Sequence, residues 1–441
     1  MSRSIRIKGS ARINGTLSVP GDKSISHRVA MLASIANGPS SISGFASSAD
    51  CYATLDCIRR LGIKVDARDS GLIVRGRGLF GYQPPESPAQ LDAGNSGSTI
   101  RMLSGILAGQ GFTSRVTGDS SLTRRPMARI IEPLIMMGAH VEPAAGNFAP
   151  LTIHGQRLKG ISYKTPVASA QVKSCVLLAG LLAEGTTTLS EPAASRDHTE
   201  LMLKEFGAAV HCTSPQTISV EGRTELQSVD YRVPGDVSSA AFLVAAACVL
   251  ADSRLLLRDV GLNPTRTAFL DVLKKLNGSI STLNVREQHG ELVGDISVST
   301  SQLAVDSNGL VLAGAIIPNI IDEIPILAVA ATQIEGRLEV RDARELRVKE
   351  SDRIRTVAEG IRRLGGEIEE LEDGFAIDGP QRLRGGRVET MGDHRIAMAF
   401  AIAGLIAEGT TEIVDADCVA VSFPEFYETL ARLSGRNALL D

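Results

Sequence analysis

Long apolar runs recur along the chain about every 70 residues, six times in all. Each run is apolar on nearly every face of a helix, which predicts helices that are buried on all sides. Glycine or a small polar residue follows each run, and a β-branched segment comes next, as is typical of a helix end followed by a strand. The six predicted helices cover residues 28–37, 98–110, 170–184, 239–252, 324–335 and 395–408.

An amphipathic helix, mostly ending in a Leu-Gly-like turn, follows each buried helix. The chain therefore uses one unit of helices and strands six times. Residues 4–19 are predicted to form strands with no preceding helix, and we expect them to complete the sixth unit. The amphipathic helices are predicted at 54–61, 129–137, 201–206, 268–276, 357–364 and 425–433.

The phrase Val-Pro-Gly-Asp occurs twice, at 19–22 and at 233–236, and each copy opens a buried helix. We interpret the two copies as crossovers between two domains, the number that 441 residues also suggest. One domain is predicted to span residues 20–238 with three units. The other combines residues 1–19 with 239–441, and the crossovers lie near 19–22 and 233–238.

Composition excludes several classes of protein. Lys and Arg number 46 against 50 Asp and Glu, aromatic residues are 4%, and Trp is absent, so a nucleic-acid partner is not expected. The six Cys are scattered without zinc-site spacing, which indicates a reducing compartment and no metal. The apolar runs are too short to span a bilayer, and the start has no apolar signal core. We therefore expect a cytoplasmic protein with no membrane partner.

Charged and polar residues gather at the starts of the buried helices. Helix N-termini attract anions, so two domains facing each other would enclose a cleft suited to phosphorylated or carboxylated small molecules. Ordinary N-capping is the alternative. Comparison of the two copies of the phrase favours function, because Lys23 in the first copy is Val237 in the second. The notable groups are Asp22 to Arg28, Asn95 to Arg101, Ser169 to Lys173, Asp322-Glu323 and Gly392 to Arg395.

Residues 347–353 are predicted to open another helix, on which Lys349 and Arg353 lie four positions apart on one face. Two like charges there suggest a shared anionic target, and a solvated charged face is the alternative.

No Walker A loop, dinucleotide fingerprint or nucleophile elbow is present, so no cofactor is implied.

Seven segments, spread in order over the whole chain, resemble the 5-enolpyruvylshikimate-3-phosphate synthase family. The resemblance implies a two-domain α/β enolpyruvyl transferase fold, an inside-out α/β barrel of six βαβαββ repeats with three in each domain. Residues 169–173, 196–200 and 263–266 resemble the class II branch, which is often less sensitive to glyphosate. Gly97, however, matches sensitive members, so tolerance stays open. The seven segments are 21–28, 94–99, 124–127, 169–171, 346–353, 392–395 and 422–424.

The family moves the enolpyruvyl group of phosphoenolpyruvate to the 5-hydroxyl of shikimate 3-phosphate by addition and elimination, and releases phosphate. The resemblance implies Asp322 as the base, Glu350 as the acid and base at the methylene carbon, and Lys23 as a bridge between the substrates. Family members are usually monomers. Shikimate 3-phosphate is implied to contact Lys23, Ser24, Arg28, Ser169, Ala170, Gln171, Ser195, Arg196, Asp322 and Lys349. Phosphoenolpyruvate is implied to contact Lys23, Asn95, Gly97, Arg125, Gln171, Glu350, Arg353, His394 and Arg395.

One departure from the family pattern is Val421, where many members have Lys, although class II members commonly lack it. Two alternatives stay open. A sister enolpyruvyl transferase acts on a UDP-sugar, but it usually has Lys-Asn where this chain has Lys23-Ser24. A non-catalytic module that binds anions or RNA ends would not require Asp322 and Glu350 beside several cations.

Overall fold

The computed structural model describes residues 3–9, 12–68, 71–85, 90–435 and 438–440. Apart from one additional helix of 4 residues, its α-helices alternate between buried and amphipathic, in the order that the hydrophobic pattern predicts. They are α1 (Lys23–Ile35), α2 (Ala49–Arg60), α3 (Gly97–Ala108), α4 (Ala128–Met136), α5 (Ala170–Leu182), α6 (His198–Glu205), α7 (Val237–Val249), α8 (Ala268–Lys275), α9 (Ile317–Ile320), α10 (Ile324–Ala331), α11 (Arg353–Arg363), α12 (His394–Ile406) and α13 (Phe426–Ser434).

The strands are short, and most lie between or after these helices. They are β1 (Ile5–Lys8), β2 (Asn14–Ser18), β3 (Asn37–Ser43), β4 (Lys64–Arg68), β5 (Gly71–Arg77), β6 (Leu91–Asp92), β7 (Thr113–Thr117), β8 (His140–Ala144), β9 (Phe148–His154), β10 (Ser162–Lys164), β11 (Thr186–Ser190), β12 (Val210–Ser214), β13 (Thr217–Glu221), β14 (Asp230–Arg232), β15 (Arg254–Gly261), β16 (Ser279–Gln288), β17 (Glu291–Ser299), β18 (Leu310–Leu312), β19 (Gly336–Val340), β20 (Glu369–Glu370), β21 (Phe375–Gly379), β22 (Arg387–Glu389), β23 (Thr410–Val414) and β24 (Leu439–Leu440).

The described strands form six four-stranded sheets, one for each repeat. Every sheet has a parallel pair at one edge and an antiparallel strand next to it, as in the order β10-β11-β13-β12. Two parallel strands must be joined by a crossover connection, and in the sheet β10-β11-β13-β12 the buried helix α5 supplies it. The amphipathic helix α6 comes next in the chain and leads into the antiparallel strands β12 and β13. The sixfold repetition confirms the predicted fold class.

By contact, the chain divides into two compact units. Residues 21–233 with 288–291 form one, called the continuous unit here, and residues 1–20, 234–287 and 292–441 form the other, the split unit. Each unit has its own large apolar core. The domains predicted at residues 20–238 and at 1–19 with 239–441 remain a prediction.

The buried helices form the centre of each core. In α7 every residue from Val237 to Cys248 is buried, and in α12 every residue from His394 to Leu405 is buried. The prediction of helices buried on all faces is therefore confirmed. Burial of a large apolar side chain stabilises a fold by about 1.5–3 kcal/mol, so these helices contribute strongly to each unit. Their first turns are held in place by this packing.

The N-terminal strands join two different sheets of the split unit. Strand β1 pairs antiparallel with β23, with Ile5 opposite Ile413, so it completes the sixth repeat as predicted. Strand β2 instead lies parallel to β15, with Leu17 opposite Leu257, in the fourth repeat.

The helix predicted over residues 347–353 does not form, so that prediction was wrong. A 3-10 turn covers Arg344–Val348, Lys349 is extended, and α11 begins only at Arg353. The reason is Asp352, whose side chain accepts a hydrogen bond from the Arg355 amide at 3.1 Å and caps the helix there.

Among the described residues no single helix has the length and apolarity that a membrane crossing requires. Two short helical segments, 314–320 and 324–331, together have that length and apolar composition, but the chain bends by 104° between them.

Candidate active site

In the continuous unit, arginine side chains link the N-terminal halves of three buried helices. Arg28 of α1 donates through Nη2 to Ser174 Oγ of α5 at 2.8 Å. Arg101 of α3 donates through Nη1 to Gln171 Oε1 of α5 at 2.6 Å. The N-termini of α1, α3 and α5 therefore lie together, which concentrates their partial positive charge.

Capping accounts for some of the polar residues at these helix starts. Asp22 accepts from the Ile25 amide at 2.9 Å, and Ser96 accepts from the Thr99 amide at 3.0 Å. The cationic residues do not cap helices. Capping therefore explains Asp22 and Ser96 but leaves Lys23 and Arg28 to be explained.

Arg28 is held in place at all three nitrogens and is only 4% exposed. Its Nε donates to Thr199 Oγ1 at 2.7 Å, and its Nη1 donates to the Ser24 carbonyl at 2.8 Å. Lys23 lies five residues earlier, at the start of α1, and forms an ion pair with Asp50 of α2, with 3.0 Å between Nζ and Oδ2. The two cations are thus fixed by different elements.

A second cluster surrounds the start of α3. Arg125 Nη2 donates to Asn95 Oδ1 at 2.7 Å, and Asn95 Nδ2 donates to Asp119 Oδ2 at 2.7 Å. Gln171 Nε2 donates to Ser98 Oγ at 3.0 Å. The structure therefore brings Asn95 and Arg125 into direct contact.

Arg101 joins this cluster through the Gln171 side chain. It was noted in the sequence but not assigned to the site. Its position on the Gln171 face of α3 becomes evident only when the helices are packed.

Ser169 and Ser195 are positioned by a buried carboxylate, Glu191. The Ser169 amide donates to Glu191 Oε1 at 3.1 Å, and Ser195 Oγ donates to the same oxygen at 2.8 Å. Lys173 Nζ lies 3.0 Å from Glu191 Oε2 and 2.7 Å from Glu200 Oε1. Burial raises the pKa of Glu200, and Lys173 opposes that shift. Lys173 and Glu191 support the site from within the core.

In the split unit, Arg353 is the centre of a carboxylate cluster and is 1% exposed. Its Nε lies 2.8 Å from Asp393 Oδ2, its Nη2 lies 2.6 Å from Glu350 Oε2, and its Nη1 lies 3.6 Å from Asp322 Oδ1. Burial alone would lower the pKa of the Arg353 guanidinium, but the three carboxylates outweigh it and raise that pKa. The cation therefore orients Glu350 and Asp322.

Asp322 also contacts Arg395, which lies in the first turn of α12. Arg395 Nη1 donates to the Asp322 carbonyl at 3.1 Å, and its Nε lies 3.5 Å from Oδ1. Burial lowers the pKa of Lys349, and Asp322 and Glu345 oppose that shift. Asp322 and Glu350 each keep 16% of their side chains exposed, so both carboxylates can reach a bound molecule.

Glu323 belongs to a buried network that reaches the site, because its Oε1 lies 3.9 Å from Arg395 Nη1. Ser238 donates a very short hydrogen bond to Glu323, and Arg266 Nη2 donates to Ser238 Oγ at 2.6 Å. This network links the starts of α7 and α10. Ser238 lies in α7 and Arg266 in the turn before α8, so no local sequence pattern predicts their contact.

The predicted site residues fall into two groups of different chemistry. The first group, in the continuous unit, is mainly cationic and suits anions. The second, in the split unit, combines carboxylates with cations and suits proton transfer as well. The first group is Lys23, Ser24, Arg28, Asn95, Gly97, Arg125, Ser169, Ala170, Gln171, Ser195 and Arg196. The second is Asp322, Lys349, Glu350, Arg353, His394 and Arg395.

The fold is that of the enolpyruvyl transferases. An EPSP synthase from Acinetobacter baumannii aligns with a TM-score of 0.86 and 40% identity, covering 100% of this chain and 99% of that chain. The enolpyruvyl transferase NikO from Streptomyces tendae aligns with a TM-score of 0.78 and 18% identity, covering 98% of each chain, and supports the fold alone.

Sequence similarity shows the family. The family described as EPSP synthase (3-phosphoshikimate 1-carboxyvinyltransferase) matches residues 7–430. A 3-phosphoshikimate 1-carboxyvinyltransferase of Solibacter usitatus is 51% identical over 429 residues, 97% of this chain and 99% of the relative. One of Brevibacillus brevis is 48% identical over 431 residues, 98% of this chain and 100% of the relative. The chain belongs to the EPSP synthase family.

Proposed function

We propose that this chain transfers the enolpyruvyl group of phosphoenolpyruvate to the 5-hydroxyl of shikimate 3-phosphate and releases phosphate, a step of aromatic amino acid biosynthesis. The observation that carries the proposal is the family match over residues 7–430, supported by relatives near 50% identity over nearly their whole length. The grouping of cations and carboxylates described above supports the same chemistry.

Shikimate 3-phosphate is assigned to the cationic group of the continuous unit. Arg28 lies at the start of α1 with its guanidinium fixed by three hydrogen bonds, and a fixed guanidinium binds phosphate or carboxylate oxygens in defined directions. Ser169, Ser195 and Gln171 are the proposed neutral partners. Further contacts are assigned to Lys23, Ser24, Ala170, Arg196, Asp322 and Lys349.

Phosphoenolpyruvate is assigned to planar arginine groups, because its carboxylate and phosphate both suit bidentate binding. Arg125 is oriented by Asn95, and Arg353 and Arg395 are oriented by acids of the split unit. Further contacts are assigned to Lys23, Asn95, Gly97, Gln171, Glu350 and His394.

The proposed reaction has two stages, addition and elimination, and each stage needs two proton transfers. Asp322 takes the proton of the 5-hydroxyl as its oxygen bonds to the enol carbon, while Glu350 protonates the methylene carbon. In the second stage Glu350 removes a proton from the resulting methyl group as the C–O bond to phosphate breaks, and the proton held by Asp322 passes to the departing phosphate. Lys23 stabilises charge on both substrates, and the substrates alone supply every atom transferred.

We also propose that the protein acts in the cytoplasm as a monomer, with no membrane or nucleic-acid partner. The mildly acidic composition, with a net charge of −4, supports the last point.

Phosphate release from phosphoenolpyruvate tests the proposed function. Purified protein is expected to release phosphate with shikimate 3-phosphate and to show only background release with UDP-N-acetylglucosamine. Release with the UDP-sugar alone would establish the sister reaction. Binding of shikimate 3-phosphate without release from either acceptor would contradict an enzymatic role.

Replacement of Gly97 with Ala is expected to raise the KM for phosphoenolpyruvate about fivefold, the effect of about 1 kcal/mol for one disturbed hydrogen bond. A Cβ at Gly97 would lie 2.7 Å from Nη1 of Arg101 and 3.3 Å from Nη1 of Arg125, so both guanidinium groups must shift. Steady-state kinetics with each substrate varied in turn will measure the change.

Gly111→Ala is the matched control, because a Cβ there meets nothing within 4 Å. It should leave both KM values unchanged. An equal KM for phosphoenolpyruvate in Gly97→Ala and Gly111→Ala would remove Gly97 from the assigned site.

A further inference from the structure

Two histidines and a glutamate meet on one face of the second sheet of the continuous unit. His140 and His154 lie directly opposite each other on the antiparallel strands β8 and β9, where Glu142 pairs with Thr152. Because side chains alternate along a strand, Glu142 projects to the same face as His140. None of these three residues belongs to the proposed transferase site.

The distances among the three side chains suit a metal ion. Glu142 Oε1 lies 3.5 Å from His140 Nε2 and 3.2 Å from His154 Nε2, and one candidate ligand atom from each residue lies within 4.8 Å of the others. Tetrahedral coordination with bonds of about 2.0–2.1 Å places two ligand atoms about 3.4 Å apart. The imidazole rings are stacked, with centroids 4.5 Å apart, and only side-chain rotation is needed to aim both nitrogens at one ion.

A neighbouring hydroxyl supports the same interpretation. Thr113 of β7 lies opposite His154, and its Oγ1 is 3.0 Å from His154 Nδ1. His154 Nε2 is buried and makes no well-directed hydrogen bond, although Glu142 Oε1 lies 3.2 Å away. When Nδ1–H donates to Thr113, the Nε2 lone pair faces the Glu142 carboxylate, so two acceptors oppose each other. A bound cation removes this repulsion, and a histidine ligand typically bonds an outer partner in this way.

We propose that His140, Glu142 and His154 bind one divalent transition metal ion of borderline softness, with Zn²⁺ as the reference ion and water completing the coordination. The ligand set of two imidazoles and one carboxylate favours such ions over Mg²⁺ or Ca²⁺, which prefer oxygen ligands alone. Spacing rules applied to the sequence missed the site because His154 reaches the other two only through the β8–β9 pairing.

The test is calorimetric titration of Zn²⁺ into metal-free, tag-free protein at neutral pH. We expect one ion per chain with a Kd of about 1–100 μM. His140→Asn and His154→Asn should each weaken binding at least about tenfold, and Thr113→Val about tenfold through its effect on His154. Binding should fall at pH 5.5, because protons compete with the metal ion for the imidazole nitrogens.

His211→Asn is the matched control. His211 Nε2 lies 3.4 Å from Glu221 Oε1 on the equivalent strands of the third sheet, with similar exposure, but in the described part of the chain no third candidate ligand joins this pair. This variant should bind Zn²⁺ like the parent protein. Loss of binding in His211→Asn, undiminished binding in His140→Asn and His154→Asn, or no stoichiometric binding at all would each overturn the proposal. Far-UV circular dichroism of the metal-free variants checks that all of them fold.

Discussion

Asp322→Asn is expected to lower kcat about 10²–10⁴-fold while shikimate 3-phosphate still binds, because an amide keeps the shape of the side chain but cannot accept the hydroxyl proton. Asp322 lies 3.6 Å from Arg353 Nη1 and 3.5 Å from Arg395 Nε, so both cations stay in place around the isosteric amide. Initial rates of phosphate release give kcat, and calorimetry gives the Kd for shikimate 3-phosphate.

The control for this substitution is Asp378→Asn, an exposed aspartate of the same unit that pairs with Arg337 at 2.7 Å on a sheet. Its kcat should equal that of the parent protein. A kcat for Asp322→Asn within tenfold of the parent value would show that another group takes the proton. A loss of shikimate 3-phosphate binding would make Asp322 a binding residue and leave the transferase activity itself unchallenged.

Arg353→Met is expected to lower the free energy of unfolding of the split unit by about 3–5 kcal/mol, because it leaves buried carboxylates without their cation. Asp393 is fully buried, and Glu350 and Asp322 are only 16% exposed. Activity should be lost as well, since Arg353 orients Glu350. The chain has no Trp, so guanidinium unfolding is best followed by far-UV circular dichroism.

Arg355→Met provides a control on the same helix. Arg355 is 69% exposed and pairs with Glu359 at 2.8 Å, and a surface pair of this kind contributes about 0–1 kcal/mol. The double variant Arg353→Met with Asp393→Asn should recover part of the lost stability, because one of the unpaired charges is then removed. Equal unfolding midpoints for Arg353→Met and Arg355→Met would disprove the role of the buried cation.

The buried helices could be predicted from the sequence because they are apolar on every face. The predicted starts of these helices were less accurate. The first helix was predicted to begin at residue 28, but α1 begins at Lys23 and ends at Ile35. Lys23 and Ser24 interrupt the apolar pattern although they belong to the first turn, which Asp22 caps. A hydrophobic pattern therefore predicts the middle of a core helix well. It predicts the first turn poorly, because the side chains proposed to bind substrate there are polar.

The chemistry of the site could be predicted only as far as residue types and the family resemblance allow. The residues that hold the site residues in position come from distant segments, as when Asp50 pairs with Lys23 and Thr199 bonds Arg28. Such pairs have no local pattern, so the sequence alone could not assign them. The error at 347–353 had a local cause, because Asp352 interrupts a stretch whose charges are spaced as on a helix.

The pairing of β1 with β23 has a consequence for how the protein is made. Residue 5 leaves the ribosome 408 residues before its partner, residue 413. The intervening residues 21–233 include nearly all of the continuous unit, so that unit can fold while β1 and β2 still lack their partners. Nascent chains should therefore pass through a half-folded stage in which two strand edges stay exposed, the feature most prone to aggregation and most in need of chaperone protection.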